Sequence, residues 1–433
     1  MAVRENTIES LLNPFQRFGV HLGLERIKKL LASLGNPQDR VPIIHVAGTN
    51  GKGSVCAYLS SILTEAGYRV GRYTSPHLVD WTERISLNGQ AISEAALIEI
   101  LQDIKGAIST DEESPTQFEV ITAAAWLYFA RSQVDIAVIE VGLGGRLDAT
   151  NVKDDTLVSV ITSLSREHWQ RLGPTVADIA GEKAGVIKPN RPVIVGKLPV
   201  SAMEVVKAKV EALNAHITIV QPATEVKIAG TNQTTWARYQ DLEYPLPLLG
   251  AVQLSNSAIA IAAIKILQQQ GWNIPQLAIQ TGINKTRWQG RLQWTSWQDR
   301  PLLIDGAHNP AAAIALKQYV DTLGKPVTWI MGMLSTKDHE DVLEALLEPN
   351  DELHLVPVPD HSTAEPEELA ALAIQVCPHL NHCQTHQDVF AALDMVITQS
   401  NQDTDMLVVL CGSLYLIGHL FKHGNLTESA MLY

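Results

Sequence analysis

Short, continuous apolar runs alternate with helical patterns along almost the whole chain. After an amphipathic opening from Ile8 to Leu34, Val41–Val46 reads as a buried strand and Ser54–Ala66 as the helix after it. Asp135–Glu140 and Leu157–Thr162 read as further strands. A helix over Thr175–Val186 then leads past Lys188 and Pro189 to a strand at Pro192–Val195. These strands are β-branched and aliphatic runs without polar alternation, so both faces are expected to be covered, as in a parallel sheet. Ser255–Gln269, rich in Ala and Ile, predicts a helix, whereas the Trp-, Gln- and Arg-rich Thr286–Arg300 has poor periodicity. A second alternation follows: a strand at Leu302–Asp305, a helix from Pro310, a strand at Val327–Met331 and a helix near Asp341. Strands at Leu353–Val356 and Leu407–Leu410, the latter with its own helix, complete it. The fold class expected is α/β, a mainly parallel-sheet domain over 1–292 followed by a smaller Rossmann-like α/β domain over 300–433.

Length agrees with that division: 433 residues are too many for one comfortable core and suit two domains. With 46% hydrophobic and 18% charged residues, wholesale disorder is excluded. No apolar run approaches the roughly 18 residues of a membrane span. The opening MAVRENTIES has neither signal-peptide nor transit-peptide character, and four cysteines make no disulfide framework. A cytoplasmic protein is expected. The net charge of −13 argues against nucleic acid or a membrane as partner, so any anionic substrate needs a locally built positive site.

Such a site is legible at Gly48–Ser54, GTNGKGS, between a strand and a helix. Glycines let backbone N–H groups turn inward on phosphate oxygens, Lys52 adds a cation, and the helix presents its positive end. The residue after Lys52 is Gly53, which has no hydroxyl for Mg²⁺, so metal ligands are expected elsewhere. Glu140 ends a strand at its carboxyl edge, just before the glycine-rich Val141–Gly145. His168 follows the next strand. Ser75, in TSPHL, and Lys183, in GEKAG, are weak candidates on their own. Asp305 and His308 share a loop between strand and helix, with Asn309–Pro310 as a helix start. Arg287 and Arg291 lie near the expected boundary. The cluster Cys377, His379, His382, Cys383 and His386 lacks zinc-site spacing and reads as a loop between a helix and a strand.

With these residues in hand, the chain resembles the folylpolyglutamate synthase/dihydrofolate synthase family of the Mur ligase superfamily. The matching stretches are His45–Ser54, Tyr73–Gly89, Asp135–Asn151, Glu182–Lys188, Gln289–Leu292, Leu303–Pro310 and Gly412–Gly418. GTNGKGS marks the superfamily; TSPHL with EVGLGGRLDATN is specific to the folate branch. The resemblance implies a P-loop ATPase domain and an ATP-dependent ligase that joins L-glutamate to dihydropteroate, to the glutamyl tail of reduced folates, or to both. It implies an acyl phosphate between the carboxylate and ATP, with domain closure assembling the site. It places Asn50, Gly51, Lys52, Gly53 and Ser54 on ATP, with Asn256, Arg291 and Asp305 as further nucleotide contacts. It places Ser75, Glu140 and His168 on Mg²⁺, with room for a second ion, and makes Lys183 a candidate for carbamylation in the metal site. His308 and Ser413 match positions near the incoming glutamate, His308 as a group that positions or deprotonates the amine. Pteroate contacts map to His21, Leu22 and Gly23, to Thr116, Gln117, Phe118 and Glu119, and to Leu147, Asp148 and Ala149. A monovalent cation and a monomeric state belong to the same set of expectations. Departures from the family pattern are Glu167 before His168, Gly181 before Glu182, Val252 before Gln253, and His21 in the pteroate loop. Two rival readings remain: a Mur-type ligase acting on a cell-wall nucleotide precursor, and a P-loop protein whose nucleotide state controls a partner. TSPHL and GLGGRLDATN oppose the first, and the Asp305/His308 loop is unexplained by the second.

Overall fold

The computed structural model describes residues 7–18, 22–109, 113–227, 235–400 and 406–427. The chain forms two compact units. The first is drawn from Met1–Ile228, Thr234–Pro247 and Leu254–Thr286, and the second includes Leu248–Gln253 and Arg287–Tyr433.

The first unit is built on eight strands: β1 (Ile43–Ala47), β2 (Val70–Tyr73), β3 (Ile85–Leu87), β4 (Gln90–Ala91), β5 (Ile136–Glu140), β6 (Val158–Ile161), β7 (Pro192–Val195) and β8 (His216–Ile219). Their order is β4-β3-β2-β5-β1-β6-β7-β8. Pairing is parallel from β2 to β8 and antiparallel at β2–β3 and β3–β4. Every residue of β1, β5 and β6 is buried, which is why those runs lack polar alternation. One core packs Ile43, Tyr73 and Ile139 against Val120, Trp126 and Phe129 of the helix Gln117–Arg131. Another packs Ile161, Val193 and Val195 against Ala180 and Val206. A three-stranded antiparallel sheet, β9 (Thr224–Val226), β10 (Thr235–Tyr239) and β11 (Leu242–Leu246), was not anticipated.

Among its described residues the second unit holds seven strands: β12 (Gln293–Trp297), β13 (Arg300–Ile304), β14 (Val327–Met331), β15 (Glu352–Leu355), β16 (His382–Thr385), β17 (Leu407–Cys411) and β18 (Leu426–Thr427). Their order is β16-β15-β14-β17-β13-β12-β18. Its core gathers Leu303, Trp329, Met331, Leu353 and Val409 beneath Leu316 and Leu343.

Several local expectations are corrected. The amphipathic opening is broken into a helix Ile8–Leu12, a 3₁₀ turn Asn13–Phe18 and a helix Glu25–Ser33. The aperiodic stretch before Arg300 contains β12, which pairs antiparallel with β13 through a two-residue turn. Both turn residues, Gln298 and Asp299, are left-handed at φ 47° and 64°, the conformation such hairpins require. The helix expected over Thr175–Val186 ends at Lys183 and tightens to a 3₁₀ turn over Ala184–Val186. His382 and Cys383 lie within β16 rather than in a loop.

Candidate active site

Parallel strands bring their carboxyl ends to one edge of the sheet, where the connecting loops converge. In the first unit these ends carry Gly48–Gly51 after β1, Thr74–Leu78 after β2, Val141–Asn151 after β5 and Thr162–His168 after β6. The phosphate loop is fixed from its neighbours. Thr49 N donates to Ser163 O at 2.7 Å, while the Asn50 carbonyl accepts from Thr162 Oγ1 at 2.6 Å and Ser163 Oγ at 3.0 Å. Gly51 is left-handed at φ 86° and caps the helix Lys52–Glu65, so Gly53 and Ser54 occupy its first turn. A Cβ on Gly51 would fall on the Asn256 amide, so Asn256 lies directly against the loop. Lys52 Nζ donates to Thr49 O at 3.1 Å.

Lys183 is buried, and its Nζ donates to the Gly48 carbonyl at 2.7 Å. Burial, reinforced by the nearby Lys52 charge, holds its pKa down at about 7. A lysine amine with that pKa is partly unprotonated near neutrality and so nucleophilic. Glu140 is buried at the end of β5, and its carboxylate accepts from Ser75 N at 3.4 Å. Ser75 Oγ is buried and has no hydrogen-bond partner among the described residues. The Ser75–Pro76 peptide is cis. His168 is exposed and left-handed at φ 52°, at the start of the short helix Trp169–Leu172. Among the described residues no three His, Cys, Asp or Glu side chains form a metal-holding group, at the Cys377–His386 cluster or elsewhere.

The pteroate candidates lie in the same unit. Gly23 N donates to Leu147 O at 3.4 Å, and Phe118 packs where a Cβ on Gly142 would sit. Leu22 is half-buried beside Gly23; His21 lies outside the described residues. Thr116 caps the helix Gln117–Arg131 and Ala149 joins the surrounding core. Two acids expected to face substrate are engaged by the protein itself. Glu119 closes the capping box on Thr116 N at 2.7 Å and accepts from Arg26 at 3.1 Å. Asp148 accepts from Leu143 N and from both Thr150 N and Thr150 Oγ1.

In the second unit, Asp305 is buried just after β13, its carboxylate accepting from Leu292 N and Ala307 N, each at 2.8 Å. Burial raises its pKa, and the Arg291 guanidinium opposes that shift. Arg291 Nη1 donates to Gly290 O at 2.9 Å, and the guanidinium lies close over Gly306, where a Cβ would collide with it. His308 Nδ1 lies 2.7 Å from Gly306 O; a carbonyl only accepts, so this nitrogen carries the proton and Nε2 is the basic one. Asn309 caps the helix Pro310–Asp321, and Ser413 caps the helix Leu414–His423 through its 3.2 Å bond from Tyr415 N.

Sequence reasoning missed Thr162 and Ser163, which hold the loop from β6, and Arg72. Arg72 is a half-buried strand residue whose Nη1 reaches Ser60 Oγ at 3.5 Å and which feels the Glu140 charge.

A P-loop on a parallel sheet, followed by a second α/β unit with its own loop of buried charge, defines an ATP-dependent ligase of the Mur type. Residues 46–264 match the Mur ligase middle domain and residues 290–423 the dihydrofolate synthetase C-terminal domain. The dihydrofolate synthetase of Saccharomyces cerevisiae is 35% identical over 94% of this chain and 98% of its own. The dihydrofolate synthase/folylpolyglutamate synthase of Bacillus subtilis is 32% identical over 94% and 96%. The structure of Escherichia coli FolC in complex with DHPP and ADP is 32% identical, with a TM-score of 0.80 over 95% of each chain. The chain belongs to the dihydrofolate synthase/folylpolyglutamate synthase family of ATP-dependent ligases.

Proposed function

We propose that the protein joins L-glutamate to dihydropteroate and also extends the glutamyl tail of reduced folates, through an acyl phosphate and with release of ADP and phosphate. The observation that carries this reading is the packing of the pteroate candidates Gly23, Phe118 and Leu147 in the unit that bears the phosphate loop. The ligand pair named for the Escherichia coli structure, DHPP and ADP, supports it.

A carboxylate is a poor electrophile, so it must first be activated. Its oxygen attacks the γ-phosphorus of ATP and ADP leaves. The glutamate amine then attacks the acyl carbon, and the tetrahedral species collapses with expulsion of phosphate. Lys52, the N–H groups of Gly51 and Gly53 and the Ser54 end of the helix bind the polyphosphate and offset the accumulating negative charge, with Asn50 held beside them by Ser163. Asn256 holds the nucleotide beside Gly51, and Leu22, Thr116, Gln117 and Ala149 line the pteroate side. In the second unit, Arg291 and Asp305 serve anion and nucleotide recognition, and Ser413 orients glutamate. His308 Nε2 accepts a proton from the amine.

Mg²⁺ fits the residues present. Ser75 Oγ is an orphaned buried oxygen beside the Glu140 carboxylate, and a hard cation takes oxygen ligands. Ser75, Glu140 and His168 would hold it, with Lys183 joining as its carbamate, and the ion would supply charge neutralisation on the phosphates. The protein acts as a cytoplasmic monomer.

Product analysis tests the reading. With ATP, Mg²⁺ and glutamate, dihydropteroate is expected to gain one glutamyl residue by mass, and tetrahydrofolate one or more. Unchanged dihydropteroate and tetrahydrofolate in the presence of bound ATP would overturn it.

A further inference from the structure

His45 is fully buried in β1, three residues before the phosphate loop, and the mechanism above does not use it. Its Nε2 lies 2.8 Å from Thr150 Oγ1, and Thr150 Oγ1 donates to Asp148 Oδ1 at 2.5 Å. A hydroxyl has one proton. Because Thr150 gives its proton to the carboxylate, it must accept from His45, so the imidazole carries its proton on Nε2. His45 Nδ1 is then a bare lone pair, and it is indeed buried without a hydrogen-bond partner among the described residues. An orphan acceptor of this kind costs less than an orphan N–H would. Burial, with Lys188 adding to it, holds the His45 pKa down at about 3, so the ring is neutral at any working pH.

The bonds continue outward from Asp148. Its Oδ2 accepts from Leu143 N at 2.7 Å and its Oδ1 from Thr150 N at 3.0 Å, so one carboxylate ties both shoulders of the turn between them. That turn is stitched to the segment bearing Lys183. Arg146 N donates to Glu182 O at 2.8 Å, and Asn151 Nδ2 donates to Gly185 O at 3.1 Å. Lys183 Nζ then reaches back to Gly48 O, closing a circuit that begins and ends on the chain around β1.

We propose that His45 and Thr150 are positioning residues, a donor relay from His45 through Thr150 to Asp148 that holds the Leu143–Asn151 turn in its pteroate-binding shape. The turn presents the Leu147 carbonyl to Gly23, so loosening it weakens the pteroate side first. The phosphate loop has independent supports in Thr162 and Ser163 and is spared.

Thr150→Val removes the hydroxyl at constant shape; Thr150→Ser restores it. His45→Leu removes the first donor and His45→Gln replaces it, a second route where the Val variant fails to fold. Two readouts on the full chain are compared. The first is trypsin cleavage after the exposed Arg146 within the turn, which needs no activity. The second is the separate KM values for dihydropteroate and ATP, which rest on the pteroate reading above. Val and Leu variants are expected to be cut about tenfold faster and to show a dihydropteroate KM about tenfold higher, with the ATP KM within about twofold. Ser and Gln variants return both readouts toward wild type. Equal cleavage rates in all variants, or an ATP KM rising as far as the dihydropteroate KM, would overturn the relay. Failure of the ligase reading shows separately, as a wild type that consumes no dihydropteroate while the cleavage rates still decide the relay.

Discussion

At the scale of single residues, burial assigns protonation states that the residue types alone do not. Lys183 sheds its proton at about pH 7, so below that pH it is an ammonium and above it a free amine able to add CO₂. Turnover is therefore expected to rise through neutrality and to respond to added bicarbonate above pH 7 but not below. Lys183→Arg, always charged, should lose both the step and the response. A bicarbonate response that persists in Lys183→Arg would contradict the assignment. Glu140→Gln keeps the shape and removes the charge beside Ser75 Oγ. Magnesium titration of turnover should shift upward by about tenfold or more; an unshifted curve would move the ligand role elsewhere. His308→Ala is expected to raise the glutamate KM with little effect on the ATP KM, and steady-state kinetics with each substrate varied would show it.

At the scale of elements, sequence reasoning reached the strands and helices whose pattern depends only on burial. β1, β5 and β6 are buried throughout and mostly aliphatic because both faces are covered, and that signature survives without any tertiary knowledge. β12 did not show it. Its residues Gln293, Trp294 and Ser296 are half-buried, so no clean period of two emerges. The helix expected to run to Val186 was misread at its end because Gly185 serves packing rather than the helix. A Cβ there would strike the backbone of Arg146, and a Cβ on Gly145 would press on the Glu182 carbonyl at 2.9 Å. The two glycine-bearing segments interlock. Gly185→Ala should therefore destabilise the protein by about 1–3 kcal/mol, read as a lower urea midpoint. An unchanged midpoint would mean the segments part more easily than their contact implies. The candidate site was legible where a motif names its own chemistry, as at Lys52, Glu140 and Asp305. It was illegible where function passes through a neighbour, as at Thr150, Thr162 and Ser163, since an isolated threonine or serine in a loop carries no signal.

At the scale of the whole molecule, a chain with a net charge of −13 needs local cations and N–H groups to meet an anionic substrate, and its candidates gather at the carboxyl ends of parallel strands. Lys52 stands there in the first unit, and in the second Arg291 lies over Gly306, just after β13. The central claim is that this machinery cleaves ATP only in making an amide, which separates a ligase from a nucleotide switch. ADP release by the purified protein with ATP, Mg²⁺ and glutamate tests it most directly, with dihydropteroate or tetrahydrofolate added in separate arms. The account predicts little ADP without a folate acceptor and strong stimulation by each of the two. ADP release that is equal in every arm would contradict it.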